Sequence, residues 1–391
     1  MKITRIETFL LKAPLGKDRF YWSQRACPER KSLLVRIRTD SGLEGWGECG
    51  QYGPGEPPAA FVNSVLGPRL IGKDPLQVGV LWEDMFTSLR DFGRKCAGIE
   101  ALSGIDIALW DLAGKHYGKP IYELLGGAFR TKIRAYATGC YYRGDDVLDY
   151  QAALPALRDE AKGYVDAGFT GLKGKIGLLT IEEDVERVRA IREAVGDRTL
   201  LMMDANHAYN FHSARKMGKA LESLGVLFFE EPVVPEDLDG YALLRQSLDL
   251  AIAGGEDEYT RYGFLELFRK GCVDIAQPDV CCAGGLTELK RIEALSTAFH
   301  VQLVPHVWGS GVALAAALHL CATLAPVPHT AFPKAPLNEP MIEFDKNPNP
   351  LRDDLLKGPI QLDGEFVPVP EGLGLGIEID EEVLDKYVMT P

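Results

Sequence analysis

Short apolar runs recur along the second part of the chain, and each is followed by a polar residue able to take part in chemistry. Leu200–Met203 runs into Asp204, and Val226–Phe229 runs into Glu230. The polar residues that follow successive runs lie 23 to 29 positions apart, and they are Lys175, Asp204, Glu230, Glu256, Asp279 and His306. A strand, a loop, a helix and a second loop take roughly 25 residues. The pattern therefore predicts repeated strand–helix units, with these residues at the carboxyl ends of the strands.

Residues 129–345 have the pattern of a closed barrel of eight parallel strands with helices around it. Glu182–Val195 carries apolar residues along one face, as a covering helix should, and a last strand is expected near Pro336–Glu343. In such a barrel the carboxyl ends of the strands form the active-site face. We therefore expect the polar residues of the repeat to meet at that face.

The flanking segments have a different order of elements. Within residues 1–128, strands such as Lys2–Leu11 come first and helices follow, which is typical of an α+β domain. Residues 346–391 are rich in proline and glycine, and we expect this tail to return to the N-terminal domain. The predicted organisation is an N-terminal domain, a barrel and a tail.

Composition and charge narrow the classes of partner. Hydrophobic residues make up 46% of the chain and charged residues 25%, which is ordinary for a soluble enzyme. The net charge of -13 argues against nucleic acid or an anionic membrane as a partner. The longest apolar tract, Val312–Val327, is interrupted by His319 and Thr323 and is too short to span a bilayer. Met1–Leu11 lacks a signal-peptide pattern and the cysteines show no C-x-x-C spacing, so a cytoplasmic location is expected.

Asp204, Glu230 and Glu256 are carboxylates at the ends of three successive predicted strands. One acidic residue in such a place often caps a helix or pairs with a lysine. Three in register favour a site for a hard divalent cation, because such ions prefer oxygen ligands and Mg²⁺ keeps positions open for water and substrate. We therefore predict a magnesium site at these residues.

Lys173 and Lys175 are two positions apart on one predicted strand, so their side chains share a face. Leu172 and Ile176 would fill the outer face, which favours lysines that point inward; a surface-facing pair is the alternative. Repulsion between two ammonium groups and their burial both lower a lysine pKa, which would make a base possible.

His306 follows another apolar run and a proline. A single histidine in such a place is more often a structural hydrogen-bonding residue than a catalyst. Asp279, however, ends the neighbouring predicted strand at the same level, where its carboxylate could orient and charge the imidazole. The alternative is that Asp279 caps the next helix.

Together these motifs resemble those of the mandelate racemase subgroup of the enolase superfamily, over nearly the whole chain. The segments that carry the resemblance are Lys173-x-Lys175, Asp204-Ala205-Asn206, Glu230-Glu231-Pro232, Gly255-Glu256, Gln277-Pro278-Asp279, Pro305-His306 and Ala101–Trp110. The resemblance implies an α/β fold, a modified TIM barrel of (β/α)7β type, beneath an α+β capping domain built from both ends of the chain.

The resemblance also implies roles for the site residues. It implies Mg²⁺ held by the three carboxylates, and Lys175 as one acid/base, tuned by Lys173 beside the substrate carboxylate. It implies His306, paired with Asp279, as the second acid/base on the opposite face of the substrate.

Further implied contacts lie near the last strand and in the capping loops. The family places a carboxylic acid there that hydrogen-bonds the enolate; Glu343 fits best and Glu339 is a rival. Gly16–Pro28 and Gln51–Pro57 correspond to loops that close over substrate. The expected substrate contacts are Tyr21, Trp22, Arg25, Tyr52, His207 and Trp308.

The implied chemistry is removal of the proton next to a carboxylate through a metal-stabilised enediolate, followed by β-elimination. A small sugar acid is the expected substrate class. Similarity to family members that open sugar lactones favours an aldaric-acid lactone such as galactarolactone, opened to a 3-deoxy-2-keto acid. The alternatives are an aldarate or aldonate dehydratase, a racemase or epimerase, a non-catalytic relative and a phosphate-binding barrel enzyme. The protein is expected to be a homo-oligomer.

Overall fold

The structure, a computed structural model, describes residues 1–50, 52–144, 149–328, 330–331 and 339–389. The N-terminal domain begins with five strands, β1 (Ile3–Pro14), β2 (Phe20–Tyr21), β3 (Ala26–Cys27), β4 (Glu29–Thr39) and β5 (Glu44–Cys49). β1, β4 and β5 form an antiparallel sheet, and β2 and β3 form a short hairpin. Leu33, Val35 and Ile37 of β4 alternate with their neighbours and enter one apolar core. Leu34, between them, enters the other large core, so β4 is packed on both faces.

Helices cover one face of this sheet. They are α1 (Glu56–Phe61), α2 (Gly67–Leu70), α3 (Val78–Ser88), α4 (Ala97–Tyr117) and α5 (Ile121–Leu124), with a π-helical turn at Val62–Leu66. α4 is buried over most of its length and packs directly on β5. The approach is close because glycines face each other. A Cβ atom at Gly47 of β5 would lie 2.0 Å from the carbonyl oxygen of Gly104 in α4.

Replacing Gly47 with alanine is expected to lower the free energy of unfolding, because β5 and α4 would have to separate. Overpacking of this kind costs about 1–3 kcal/mol. Gly79→Ala in α3 is a matched control, since nothing lies within 4 Å of a Cβ atom there and alanine is the better helix former. Urea unfolding of both variants checks the prediction. Wild-type stability in Gly47→Ala would contradict the close packing.

The second domain is built on a curled parallel sheet. Eight strands form the parallel sheet: β6 (Lys132–Thr138), β8 (Gly171–Lys175), β9 (Leu200–Asp204), β10 (Val226–Glu230), β11 (Ala251–Gly254), β12 (Ile275–Ala276), β13 (Gln302–Leu303) and β14 (Met341–Asp345). The short strand β7 (Tyr142–Arg143) pairs with β2, and β15 (Phe366–Pro368) lies in the tail. The order is β13-β12-β11-β10-β9-β8-β6-β14, with every pair parallel. The last strand was expected near Pro336–Glu343 and begins at Met341, and residues 336–338 of the predicted range lie outside the described residues.

Seven helices alternate with these eight strands, which confirms the (β/α)7β barrel. They are α6 (Tyr150–Asp166), α7 (Ile181–Val195), α8 (Phe211–Ser223), α9 (Leu238–Ser247), α10 (Thr260–Lys270), α11 (Gly285–Ala298) and α12 (Gly311–Thr323). Side chains cap the first turns of five of them: Asp149, Thr180, Asn210, Asp237 and Ser310. α12 contains most of the long apolar tract and is buried throughout. Across the described ranges, we find no helix with the length and apolar character that a bilayer crossing requires.

The tail contacts both domains. β15 pairs antiparallel with β6 of the barrel. The tail also contains α13 (Pro350–Asp353), which precedes β15, and α14 (Glu381–Tyr387), which follows β15 and lies against β1. There Leu11 bridges Val388, and the Met389 amide donates a hydrogen bond of 2.7 Å to the Leu10 carbonyl. The tail therefore contacts the N-terminal domain as well as the barrel.

Candidate active site

Three carboxylates meet where neighbouring parallel strands end. Asp204 and Glu230 are the last residues of β9 and β10 and pair in register, and Glu256 lies two residues beyond β11. All three are buried, and their oxygen atoms lie within 4.8 Å of one another. Closely spaced carboxylate oxygens are the donors that a hard divalent cation prefers. The group could therefore hold a metal ion.

The electrostatics of this group favour added positive charge. Burial, together with repulsion from Asp204, raises the pKa of Glu230 to about 8, although Lys173 opposes the rise. Burial also raises the pKa of Glu256 to about 7. For Asp204, burial acts in the same direction, but Lys175 and Lys173 outweigh it and lower its pKa to about 2. The buried carboxylates thus depend on nearby cations to stay ionised together.

Lys173 and Lys175 both point into the barrel, as their spacing on β8 predicts. Lys173 Nζ lies 2.5 Å from Glu230 Oε1 and 3.1 Å from Glu343 Oε1, and the residue is only 1% exposed. Leu172 and Ile176 are buried in the core on the other side of the strand. The alternative of a surface-facing lysine pair is therefore wrong.

The lysine pKa values differ from the sequence-based expectation. Burial lowers the pKa of Lys175, and Lys173 adds to this, but the Asp204 carboxylate in contact with Lys175 Nζ raises it above its usual value. Lys175 Nζ also donates a 2.9 Å hydrogen bond to Asn206 Oδ1. For Lys173, burial is outweighed by Glu230 and other carboxylates, and its pKa is raised well above normal. The expectation was wrong because it considered the two ammonium groups without their carboxylate partners.

His306 and Asp279 form the expected pair. His306 Nδ1 lies 2.7 Å from Asp279 Oδ2, and Nε2 lies 3.6 Å from Glu256 Oε2. Burial lowers the pKa of His306, but Glu256 and Asp279 outweigh it and raise the pKa to about 10. Asp279 Oδ1 also accepts a 2.6 Å hydrogen bond from the Cys281 amide, so it orients the histidine and caps the local turn. The imidazole is held as a cation with Nε2 toward the other site residues.

A cavity of about 240 Å³ opens over these groups, and both Lys175 and His306 line it. Five of the six expected substrate contacts also line it: Trp22, Arg25, Tyr52, His207 and Trp308. Trp22 and Arg25 come from the loop around β2 and β3, and Tyr52 comes from the loop after β5. Of that second loop, Gln51 lies outside the described residues. The cavity is therefore bounded by both domains.

Tyr21 does not line this cavity. It lies in β2, where it pairs with Ala26 and Tyr142. Its neighbours Phe20 and Trp22 both place their rings against Trp308, at 6.0 and 6.3 Å between centroids. Because successive side chains of an extended segment point to opposite sides, Tyr21 points away from them.

Three further residues of the cavity were missed by the sequence analysis, and they are Gln24, Tyr141 and Asp257. Gln24 Nε2 donates a 2.9 Å hydrogen bond to the carbonyl of Asn206, which ties the capping loop to the segment after Asp204. Asp257 could have been found because it directly follows Glu256. It belongs to a second group, with His207 and Glu231, whose ligand atoms also lie within 4.8 Å of one another.

Of the two candidate glutamates near the last strand, Glu343 lines the cavity and Glu339 does not. Glu343 lines the cavity and accepts a 2.6 Å hydrogen bond from Thr138 Oγ1, whereas the Glu339 side chain is 46% exposed. Burial raises the pKa of Glu343, but Lys173 and His306 outweigh it and the pKa is lowered. Glu343 is therefore ionised in this structure and accepts hydrogen bonds, whereas the implied role requires a protonated acid.

Both domains match known protein families. Residues 6–126 match the family described as mandelate racemase / muconate lactonizing enzyme, N-terminal domain, and residues 156–383 match the family described as enolase C-terminal domain-like. D-galactarolactone cycloisomerase of Agrobacterium fabrum is 43% identical over 391 residues, which cover 100% of this chain and 99% of the relative. Arabinonate dehydratase of Saccharolobus solfataricus is 40% identical over 355 residues, which cover 91% of this chain and 90% of the relative.

Solved structures share the fold along the whole chain. The 3,6-anhydro-D-galactonate cycloisomerase of Zobellia galactanivorans has a TM-score of 0.88 at 39% identity, with 100% of both chains covered. A racemase from Streptomyces coelicolor A3(2) with bound magnesium has a TM-score of 0.86 at 28% identity, with 99% of this chain and 100% of the other covered. Since both domains and the full length agree, the chain belongs to the mandelate racemase subgroup of the enolase superfamily.

Proposed function

We propose that this protein is a magnesium-dependent enzyme that removes the proton next to the carboxylate of a sugar acid and then expels the substituent on the neighbouring carbon. The proposed substrate is an aldaric-acid lactone, galactarolactone. The observation that carries the proposal is one cavity that brings Lys175 and the His306–Asp279 pair beside three converging carboxylates. The 43% identity with a galactarolactone cycloisomerase supports the choice of substrate.

Asp204, Glu230 and Glu256 would hold the Mg²⁺ ion. Their oxygen donors suit a hard cation, and the raised pKa values of Glu230 and Glu256 indicate a place where added positive charge is favourable. When bound, the ion supplies charge that favours ionisation of the carbon acid beside the substrate carboxylate.

Lys175 is the proposed base. A base must be the neutral amine, and burial and the neighbouring Lys173 both favour that form. The Asp204 carboxylate favours the charged ammonium form instead. Lys175 would therefore become the neutral amine when the Asp204 carboxylate is bound to another partner. Lys175 Nζ would then take the proton from the substrate carbon within hydrogen-bond reach.

His306 is the proposed acid, since its pKa of about 10 keeps a proton on Nε2 at neutral pH. In a lactone the ring C–O bond breaks as the new C=C bond forms, and the ring oxygen leaves as a carboxylate. The resulting enol becomes the 2-keto acid when the carbon that lost oxygen gains a proton and the enol hydroxyl loses one. His306 would deliver the proton to that carbon, and the net reaction is an isomerisation.

A dehydratase is the second candidate. Hydroxide is a poor leaving group and needs an acid, and a protonated His306 meets that need. The 40% identity with an arabinonate dehydratase supports this alternative.

The kcat/KM values for galactarolactone and for open-chain galactarate should separate the two candidates. We expect Mg²⁺-dependent formation of a 3-deoxy-2-keto acid from the lactone, and a much slower reaction of the open-chain diacid. A coupled assay for the 2-keto acid measures both. If the open-chain acid is the better substrate, the enzyme is a dehydratase and the proposed substrate is wrong.

The homo-oligomer and the cytoplasmic location stay predictions. Light scattering on the purified protein measures the first, and fractionation of the source cells measures the second.

A further inference from the structure

A tyrosine of the capping domain reaches the acid–base pair of the barrel. Tyr52 Oη lies 3.0 Å from His306 Nδ1, the same nitrogen that lies 2.7 Å from Asp279 Oδ2. The two rings lie with their centroids 5.7 Å apart. Tyr52 follows β5, whereas His306 follows β13, so this contact crosses between the domains.

Two partners on one nitrogen restrict the imidazole more than one partner does. A hydrogen bond to Asp279 alone would allow the ring to swing about the Nδ1···O direction. The Tyr52 hydroxyl approaches Nδ1 as a second partner, which narrows that motion and so fixes where Nε2 points. Burial raises the pKa of Tyr52 well above its usual value, so the hydroxyl stays neutral.

The loop that carries Tyr52 is itself held in place. The Arg25 guanidinium donates a hydrogen bond to the Tyr52 carbonyl oxygen, and Arg25 lies over the ring of Trp22 at 5.3 Å. Trp22 and Arg25 belong to the other capping loop, and all three residues line the cavity. The two loops are thus tied together, and the position of the Tyr52 hydroxyl depends on both.

We propose that Tyr52 is a positioning residue for His306, through which the capping loops over the cavity complete the orientation of the proton-donating Nε2. The inference rests on the proposed function to the extent that His306 is the acid. It differs in its consequences from the expected role of Tyr52 as a substrate contact. A positioning residue changes kcat, whereas loss of a substrate hydrogen bond made equally in the ground and transition states changes KM.

Tyr52→Phe removes the hydroxyl and keeps the ring. We expect kcat to fall roughly 10- to 100-fold, because misaligned reacting groups carry losses of that order, with KM within about twofold of wild type. Tyr259→Phe is the matched control, since it also removes a buried hydroxyl between the domains, one that lies 3.2 Å from Glu100 Oε1. That control should keep kcat within about twofold. A raised KM with wild-type kcat, or no change in either constant, overturns the proposal.

Combining substitutions tests whether Tyr52 acts through the histidine. In a His306→Asn background, adding Tyr52→Phe should lower kcat no further, and a full additional loss would overturn the proposal.

The wild-type enzyme is assayed on the lactone and on the open-chain diacid in the same series, and the substrate that it turns over is used for the variants. Turnover of neither by the wild type would count against the proposed function alone. In that case ¹⁵N NMR tests the contact between Tyr52 and His306. The His306 Nδ1 resonance should shift in Tyr52→Phe and not in Tyr259→Phe. An unshifted resonance in Tyr52→Phe would overturn the proposal.

Discussion

Lys175→Ala should lower kcat on the lactone by roughly 10²- to 10⁴-fold, the usual contribution of a general base. The reason is that Lys175 Nζ is the buried amine of this cavity that lies beside Asp204 and Asn206. Mg²⁺ binding should persist, since the variant keeps all three carboxylates and removes a competing positive charge. Steady-state kinetics and calorimetric Mg²⁺ titration measure the two effects separately.

Lys357→Ala is the control for removal of a lysine, because Lys357 is exposed and pairs with Glu378 on the tail. It should keep wild-type kcat. Near-normal turnover by Lys175→Ala would show that the base lies elsewhere. Loss of Mg²⁺ binding in that variant would instead show that Lys175 supports the carboxylates and would weaken its assignment as the base.

Asp204→Asn should weaken Mg²⁺ binding by at least about 100-fold, since even the residues that support metal ligands are worth 10- to 100-fold. The substitution keeps the size of the side chain, and its oxygen can still accept the 2.7 Å hydrogen bond from the Asn206 amide. What it removes is one of three negative charges that converge within 4.8 Å. Turnover should fall in parallel and recover only partly at high Mg²⁺ concentration.

The matched control for Asp204→Asn is Glu339→Gln, which neutralises a carboxylate outside the cavity. It should leave both Mg²⁺ affinity and kcat unchanged, because Glu339 does not line the cavity and its side chain is 46% exposed. Unchanged Mg²⁺ affinity in Asp204→Asn would remove this carboxylate from the metal site.

The barrel was predictable because its repeat is local. Each unit ends an apolar strand with a polar residue, so spacing alone places Asp204 beside Glu230, and the structure pairs them in register. The inward orientation of Lys173 followed from strand alternation in the same way. Both predictions rest on the spacing of residues along the chain, and neither depends on which side chains are in contact.

What could not be predicted depends on contacts between distant segments. The raised pKa of Lys175 arises from Asp204, and its size depends on a distance that no spacing gives. The absence of Tyr21 from the cavity follows from the side of β2 on which Trp308 lies. The contact of Tyr52 with His306 joins two domains. In each case the residue was recognisable, but its neighbours were set by tertiary structure.

The tail contact on β1 has a consequence for biosynthesis. One edge of β1 pairs with β4, and the other is met near its end by Val388 and Met389. A ribosome releases β1 long before residues 388–389 are made, so the nascent chain carries an unprotected strand edge that can pair with a neighbouring polypeptide. The edge of β1 is therefore covered at this point only after residues 388–389 have been translated. A chain whose translation stops earlier can aggregate through this edge, although its barrel is already translated.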